Sequence, residues 1–390
     1  MRRIIIAMLL CLLFANAGAQ IPKIDVFKSI KTTKNMDLSE LANKLSYTRL
    51  SDAGQTALIS RITYISANKS FVAIYDRPVK KLFLFDAEGI FIRTLMNQGK
   101  GPNEFIDINS IDLNDKNELL VLLNWNQINI LNSDGSASGK FSVNGNAPLA
   151  KWITDNIIAI IYYFPFYLRN NGYEVTFIDR KGKILNNAMP NSVKNMDFND
   201  FMPKYSCGWN RDTLYYWNEY HDNVYSITKD MQVIPRIKLF NNAQRYSVEL
   251  LKKGAKMEDG FNTNTYYILD SYHESGNFAF ISGVYKQCHT CLVVNRTTGI
   301  GNNIFENYGN DHYIGLMNDL DGGYDFWPGN VTRTGDLIMT VDPNDLRETF
   351  TKHLKTNRPI KFPSQQDSLR KQVIDQITLM DNPILIKIEK

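Results

Sequence analysis

The stretch FVAIYDRPVKKLFLFDAEGIFIRTL, Phe71 to Leu95, decides the fold. Phe71–Tyr75 and Lys81–Phe85 are short runs of β-branched, aromatic and aliphatic residues. Asp86-Ala-Glu-Gly89 follows, and then a third run, Ile90–Leu95. Such runs, bounded by turn residues, read as strand, strand, turn, strand. The acid at the start of the turn and the glycine at its end suit a tight reversal.

The phrase returns along the chain. Gln127–Leu131 precedes Asn132-Ser-Asp-Gly135, and Glu174–Ile178 precedes Asp179-Arg-Lys-Gly182. Asn223–Ile227 precedes Thr228-Lys-Asp-Met231, where the glycine is lost. Cys291–Val294 precedes Asn295-Arg-Thr-Thr-Gly299, one residue longer. The turn markers Asp86, Asn132, Asp179, Thr228 and Asn295 are spaced by 46, 47, 49 and 67 residues. A period near 45 with about four strands per repeat is the signature of a propeller blade. The last interval is longer because Asn241–Thr265 is an insertion, in which Ala243–Lys253 has helical periodicity.

Five phrases give five blades. A sixth is expected from a strand pair near Gly329–Arg333 and Asp336–Val341, two helical stretches (Asn344–Thr356 and Gln365–Thr378), and the final apolar strand Pro383–Ile388. A ring of sheets is stable when no edge is left free. The spare early strand Leu45–Leu50 is therefore expected to pair with Ile384–Ile388. The predicted fold is all-β, a six-bladed β-propeller with short C-terminal helical insertions.

Asn97-Gln-Gly-Lys-Gly-Pro-Asn-Glu-Phe105 resembles a phosphate loop at first sight. A phosphate site needs backbone N–H groups aimed at the anion and a helix start behind them. Pro102 removes one N–H, and Ile106–Leu113 alternates like a strand. The stretch reads as the corner between one blade and the next. Gly99 and Gly101 are expected at positive φ, with Pro102 stiffening the exit and Glu104 accepting hydrogen bonds from turn amides.

Arg2 and Arg3 precede the eleven-residue apolar run Ile4–Phe14, too short to cross a bilayer, and Ala17-Gly18-Ala19 offers a cleavage site. Residues 1–19 are expected to be an export leader, 20–43 an N-terminal extension and 44–390 the propeller. A lipoprotein reading centred on Cys11 fails because Leu10 stands where a small residue is needed. Removing 19 of 390 residues leaves 371, in which 42 bases face 40 acids, a net charge of +2. No basic run gives an electrostatic footprint for nucleic acid, and no later segment reads as a membrane span. The destination is expected to be periplasmic or extracellular, with a soluble chain after cleavage.

Cys207, Cys288 and Cys291 survive cleavage. Export permits disulfides, but three thiols allow at most one pair. Cys288-His-Thr-Cys291 runs into Leu292-Val-Val294, a strand, whereas a redox CxxC opens a helix. A zinc site would need two further ligands. The five histidines show no metal spacing. Asp319-x-Asp321-Gly-Gly323 resembles half a calcium loop, but Asn330 stands where the bidentate acid is needed, and a turn is the better reading. Neither a metal nor another cofactor is expected.

The chain resembles a family of secreted six-bladed β-propellers abundant in Gram-negative gut bacteria, and more distantly the NHL-repeat propellers. The shared residues are Phe85, Asp86, Gly89, Phe91, Gly99, Gly101, Pro102, Glu104 and Phe105, with Asp381-Asn-Pro-Ile-Leu385 near the end. Asn103 replaces a third glycine of the family pattern. The resemblance covers roughly residues 40–390 and implies the fold and export. It supplies no catalytic residues.

In a propeller the connections between second and third strands share one face with the blade-to-blade corners. Here they contain Asp76–Lys80, Asn124-Trp-Asn126, the long Tyr162–Gly172, Asn218–Asp222 and Tyr285-Lys-Gln287. Aromatics beside amides and charges suit a sugar ring or a peptide. Five aromatics within six residues of the third loop are hard to bury. The candidate ligand-binding residues are Arg77, Lys100, Asn103, Glu104, Trp125, Tyr163, Phe166, Tyr167, Tyr220, His221, Tyr285 and Lys286.

These observations favour a non-catalytic exported module that binds an extended glycan or peptide. Two other classes stay open. A channel-centred hydrolase or lyase, calcium-dependent in one version, would draw ligands from separate blades and leave no local motif. A scaffold would dock to an envelope protein partner.

Overall fold

The computed structural model describes residues 21–99, 101, 104–162, 172–190, 204–218, 221–240, 267–286, 288–304, 306–308, 311–313, 315–356, 358–378 and 381–389. The expected Ala243–Lys253 helix lies outside them.

The described chain opens with strand β1 (Lys23–Asp25), helix α1 (Val26–Lys31) and strand β2 (Lys44–Arg49). Blade 1 is β3 (Ile62–Ala67), β4 (Phe71–Asp76), β5 (Lys81–Asp86) and β6 (Phe91–Gln98), with the short β7 (Glu104–Phe105) parallel to β6. Blade 2 is β8 (Ile108–Leu113), β9 (Leu119–Leu123), β10 (Gln127–Leu131) and β11 (Ala137–Ser142). Blade 3 is β12 (Leu149–Thr154), β13 (Ile157–Ile161), β14 (Tyr173–Asp179) and β15 (Ile184–Pro190). Blade 4 is β16 (Tyr205–Asn210), β17 (Thr213–Asn218), β18 (Asn223–Ile227) and β19 (Val233–Phe240), and blade 5 is β20 (Ile268–Ser275), β21 (Phe278–Tyr285), β22 (Cys288–Asn295) and β23 (Gly301–Asn303). A small hairpin, β24 (Glu306–Tyr308) and β25 (Asp311–Tyr313), precedes blade 6.

Blade 6 is built from both ends of the chain. Its sheet order runs from β2 through the last strand, β28 (Ile384–Glu389), and β27 (Leu337–Val341) to β26 (Asn330–Val331). The β2–β28 ladder is antiparallel and pairs Leu45 with Ile388 and Thr48 with Leu385. The spare early strand therefore closes the ring as the sequence predicts. Helices α2 (Pro343–Lys355) and α3 (Pro363–Gln372) fill the β27–β28 connection and bury Leu346, Phe350 and Leu369.

The middle strands are apolar on both sides. LLVLL of β9 is buried throughout, and so is IIAII of β13 after its first residue. An antiparallel sheet with one wet face would alternate; these strands do not, because each blade is packed between two others. The described core accordingly falls into six clusters, each bridging consecutive blades. Tyr75 and Leu84 of blade 1 meet Leu113 and Val121 of blade 2. Ile338 and Leu385 of blade 6 meet Ile74 and Phe83 of blade 1 and complete the circle. Burying one such side chain contributes about 1.5–3 kcal/mol. Outer strands such as β11 are largely exposed and read as polar.

The repeated turn is chemically uniform. Asp86 Oδ1 accepts from the Ile90 N–H at 2.7 Å, and its carbonyl accepts from the Gly89 N–H at 3.1 Å. Gly89, Gly135, Gly182 and Gly299 all have positive φ, between +70° and +87°. Met231 holds φ +59° where blade 4 lacks the glycine. The turn geometry outlives its preferred residue.

The N-terminal segment stitches three blades together. β1 adds in parallel to β19 of blade 4, with Ile24 opposite Leu239. α1 buries Val26 and Ile30 in the core between blades 4 and 5. Thr33 then bridges to Asn303 and Asp37 to Met317, ahead of β2 in blade 6. Sequence reading saw only an extension, because a three-residue strand carries no periodic signal.

Candidate functional site

Successive strands of a blade run antiparallel, so the connections from second to third strand and from fourth strand to the next blade leave at one end. That end carries the loop-rich face.

The corner after blade 1 is held by Glu104. Its carboxylate Oε2 accepts from the Gly101 N–H at 2.7 Å, and the Glu104 N–H donates to the Gly101 carbonyl at 3.1 Å. The acid fills its own turn. Gly99 and Gly101 do not have positive φ, contrary to expectation. Gly99 instead leaves room, since a Cβ there would meet the Glu104 carboxylate and displace it. Lys100 and Asn103 lie outside the described residues.

Asp107, just past the corner, joins blades 1 and 2. Arg77 Nε lies 3.4 Å from Asp107 Oδ1, and the Tyr75 hydroxyl donates to the same oxygen at 3.2 Å. The Arg77 guanidinium lies 5.9 Å from the Tyr64 ring centroid, and Tyr64 stacks on Tyr75 at 6.0 Å. Burial, and then the Asp107 carboxylate, push the Tyr75 phenol up to about 12. Arg77 keeps 45% of its side chain exposed and offers a positive charge on an aromatic bed.

Asn124 and Trp125 form the tip of the blade 2 hairpin, with φ of +51° and +69°. The Asn126 N–H closes the turn on the Leu123 carbonyl at 3.1 Å, and at its second central residue glycine, rather than an aromatic, is the usual occupant of left-handed φ. Asn109 Oδ1 accepts from the Trp125 N–H at 2.6 Å, and the Trp125 carbonyl accepts from the Ala147 N–H. The indole is half-buried.

A second polar cluster joins blades 3 and 4. Glu174, 6% exposed on β14, accepts from the Tyr216 hydroxyl at 2.6 Å and from Asn218 Nδ2 at 2.8 Å. His221 Nε2 lies 2.8 Å from Glu174 Oε2, and the His221 side chain is 24% exposed. A carboxylate only accepts, so the proton on Nε2 points at Glu174. The imidazole also meets Tyr225 edge-on at 5.2 Å. A buried acid thus orients a solvent-reaching histidine. That loop's Tyr163, Phe166 and Tyr167, and also Tyr220, lie outside the described residues.

On blade 5, Tyr285 packs edge-on against Phe27 of α1 at 5.5 Å. Its ring serves the N-terminal stitch. Lys286, exposed and with φ +51°, keeps Nζ 5.6 Å from that ring. The described candidates thus spread over blades 1, 2, 4 and 5, and Arg77 and His221 are held by acids of the neighbouring blade. Asp107, Glu174 and Tyr216 were missed in the sequence reading, and Asn218 was read only as part of a connection. A charged residue at the edge of an apolar strand phrase, as in Glu174-Val-Thr-Phe-Ile178, was the available signal.

Cys288 and Cys291 sit three apart on β22 and so point to opposite faces. Cys288 is exposed, Cys291 is buried, and all three described cysteines are free. Asp321 serves its own turn, accepting from the Gly323 N–H at 2.9 Å and from Asn318 Nδ2 at 2.8 Å. Among the described residues no group of three His, Cys, Asp or Glu is placed to hold a metal ion. No helix among them is long and apolar enough to cross a membrane.

Fold and face together define a six-bladed β-propeller module. The family described as Domain of unknown function (DUF4934) matches residues 21–389, and the chain belongs to it. Its fold is similar to that of a Bacteroides fragilis protein described as exported, with a TM-score of 0.63 at 14% identity, covering 95% of this chain and 100% of that one. A member of the DUF4221 family from Bacteroides vulgatus aligns with a TM-score of 0.41 at 15% identity over 66% of this chain and 84% of that one. BamB from Moraxella catarrhalis gives 0.38 at 11% identity, over 76% and 75%. No curated protein matches the chain.

Proposed function

We propose that the protein is an exported, non-catalytic binding module that takes an extended glycan or peptide on its loop-rich face. The leader-like first 19 residues support export. The observation that carries the binding reading is Trp125. An aromatic residue at φ +69° costs on the order of 1–3 kcal/mol and persists only where its surroundings enforce it. Two hydrogen bonds hold its backbone, so the strain fixes an indole at a hairpin tip on that face. Arg77 above Tyr64 adds a second aromatic and charged platform one blade away.

The test is a thermal-shift screen of the purified chain against oligosaccharides and peptides, followed by the same screen on Trp125→Ala. A ligand at 100 times its Kd adds ~2.7 kcal/mol, a visible shift. Binding that Trp125→Ala and Arg77→Ala leave untouched would remove the face assignment. A flat screen with a co-purifying envelope protein would favour the docking scaffold.

The Glu174–His221 pair favours a second reading, acid–base chemistry in a hydrolase or lyase. Under it, Glu174→Gln abolishes turnover of a bound ligand without weakening its binding.

A further inference from the structure

A cavity of about 420 Å³ opens between blades 1 and 6 on the face opposite the loops. It lies within the ~300–1,000 Å³ range of small-ligand sites. Its wall on the blade 1 side is made of small residues, Ala67, Val72 and Ala87, where larger side chains would close the seam. Across from them stand Leu385, Ile338 and Lys387 of blade 6.

Lys387 is the cation of this strand that lines the cavity. Alternation along β28 turns Ile384, Ile386 and Ile388 into the core shared with blade 5 and Leu385 toward blade 1. Lys387 shares the Leu385 side and lines the cavity beside Leu385 and Ile338, so a cationic side chain stands on the strand face that turns toward blade 1. It is half-buried, and no acid among the described residues pairs with it. Directly opposite in the ladder is Ser46, whose buried hydroxyl has no hydrogen-bond partner. Lys69 lies at the cavity rim, also without an acidic partner. The acid in the lining, Asp336, accepts from the Thr334 hydroxyl at 2.5 Å within its own turn. Two ammonium groups against one carboxylate leave the lining with one positive charge in surplus.

We propose that this cavity binds a small amphipathic monoanion: a carboxylate on a short unbranched apolar chain, its head paired with Lys387 and its tail against Ala67, Val72, Ala87 and Leu385. The site is independent of the loop-rich face. An ammonium in a low-dielectric seam attracts a carboxylate more strongly than one in water, and the apolar wall rewards the tail.

The experiment is a calorimetric titration of the full chain with butyrate, hexanoate and octanoate, and with octylamine as the cationic control. The expected result is saturable one-to-one binding that tightens about fourfold per methylene, with no binding of octylamine. Lys387→Met keeps the stem and removes the charge, and is expected to weaken octanoate about tenfold at an unchanged melting temperature. Ala87→Leu fills the tail space and is expected to abolish the chain-length dependence. The proposal falls if octanoate fails to saturate by 10 mM (roughly 2.7 kcal/mol of affinity), if octylamine binds equally, or if folded Lys387→Met binds octanoate as the parent does.

Discussion

Glu104 and Gly99 share one volume. The Glu104 carboxylate lies where a side chain on Gly99 would begin, and the same carboxylate takes the Gly101 N–H at 2.7 Å. The blade 1 corner is therefore one interlocked unit. Gly99→Ala forces the acid out of its turn and is expected to cost about 1 kcal/mol, the hydrogen bond it gives up. Glu104→Ala loses the hydrogen bond, about 1 kcal/mol, but vacates the space. The double mutant should then be more stable than the two costs predict, with a coupling of at least ~0.5 kcal/mol. Urea midpoints of the four proteins measure it, and simple additivity would refute the interlock.

The N-terminal stitch predicts a contrast between two isoleucines three residues apart. Ile24 is fully buried between blades 4 and 5, whereas Ile21 is 37% exposed. Ile24→Ala should cost about 2–5 kcal/mol, and Ile21→Ala no more than ~0.5 kcal/mol. Equal melting temperatures for the two variants would mean that β1 adds little to the ring.

Much of this architecture was legible because propeller blades repeat their chemistry. The acid-to-glycine turn marks the third and fourth strands of a blade, and its spacing counts the blades. Closure by Leu45–Leu50 followed from the need to leave no free edge. The stitch through Ile24 and Val26 was not legible, since parallel addition of three residues depends on a surface made by blade 4. The site was only partly legible for a similar reason. Arg77, Trp125 and His221 stand in loops and announce themselves, while their partners Asp107, Asn109 and Glu174 sit at strand ends and look like ordinary blade residues. The reason for Gly99 was misread because a glycine needed for room and one needed for a left-handed turn look alike in a sequence.

The cysteines predict a labelling pattern. Cys288 is exposed, whereas burial pushes the thiols of Cys207 and Cys291 up to about 12. The chain from Gln20 onward should take one equivalent of maleimide rapidly at pH 7 when native and three when unfolded, because the thiolate is the reactive form. Cys288→Ser should abolish the fast phase. Two fast equivalents that persist in Cys207→Ser would overturn the buried placement of Cys291.

His273 predicts the shape of the acid limb. Burial lowers its pKa from the usual 6.5 to about 4, with Tyr215 Oη 3.3 Å from its Nδ1. Between those values the unfolded chain binds a proton that the folded chain refuses. Stability from this residue is thus complete above pH 6.5 and is lost as the pH falls toward 4. A shift of this size corresponds to about 3 kcal/mol at most. The residue is only half-buried by exposed area, and solvent screening reduces the expected loss to about 1–2 kcal/mol. His273→Gln keeps a hydrogen-bonding side chain but cannot titrate. The difference in unfolding free energy between parent and variant should therefore shrink by that amount from pH 7 to pH 4, while the carboxylates that also titrate there cancel. A difference that stays constant with pH would show that His273 titrates normally in the folded chain.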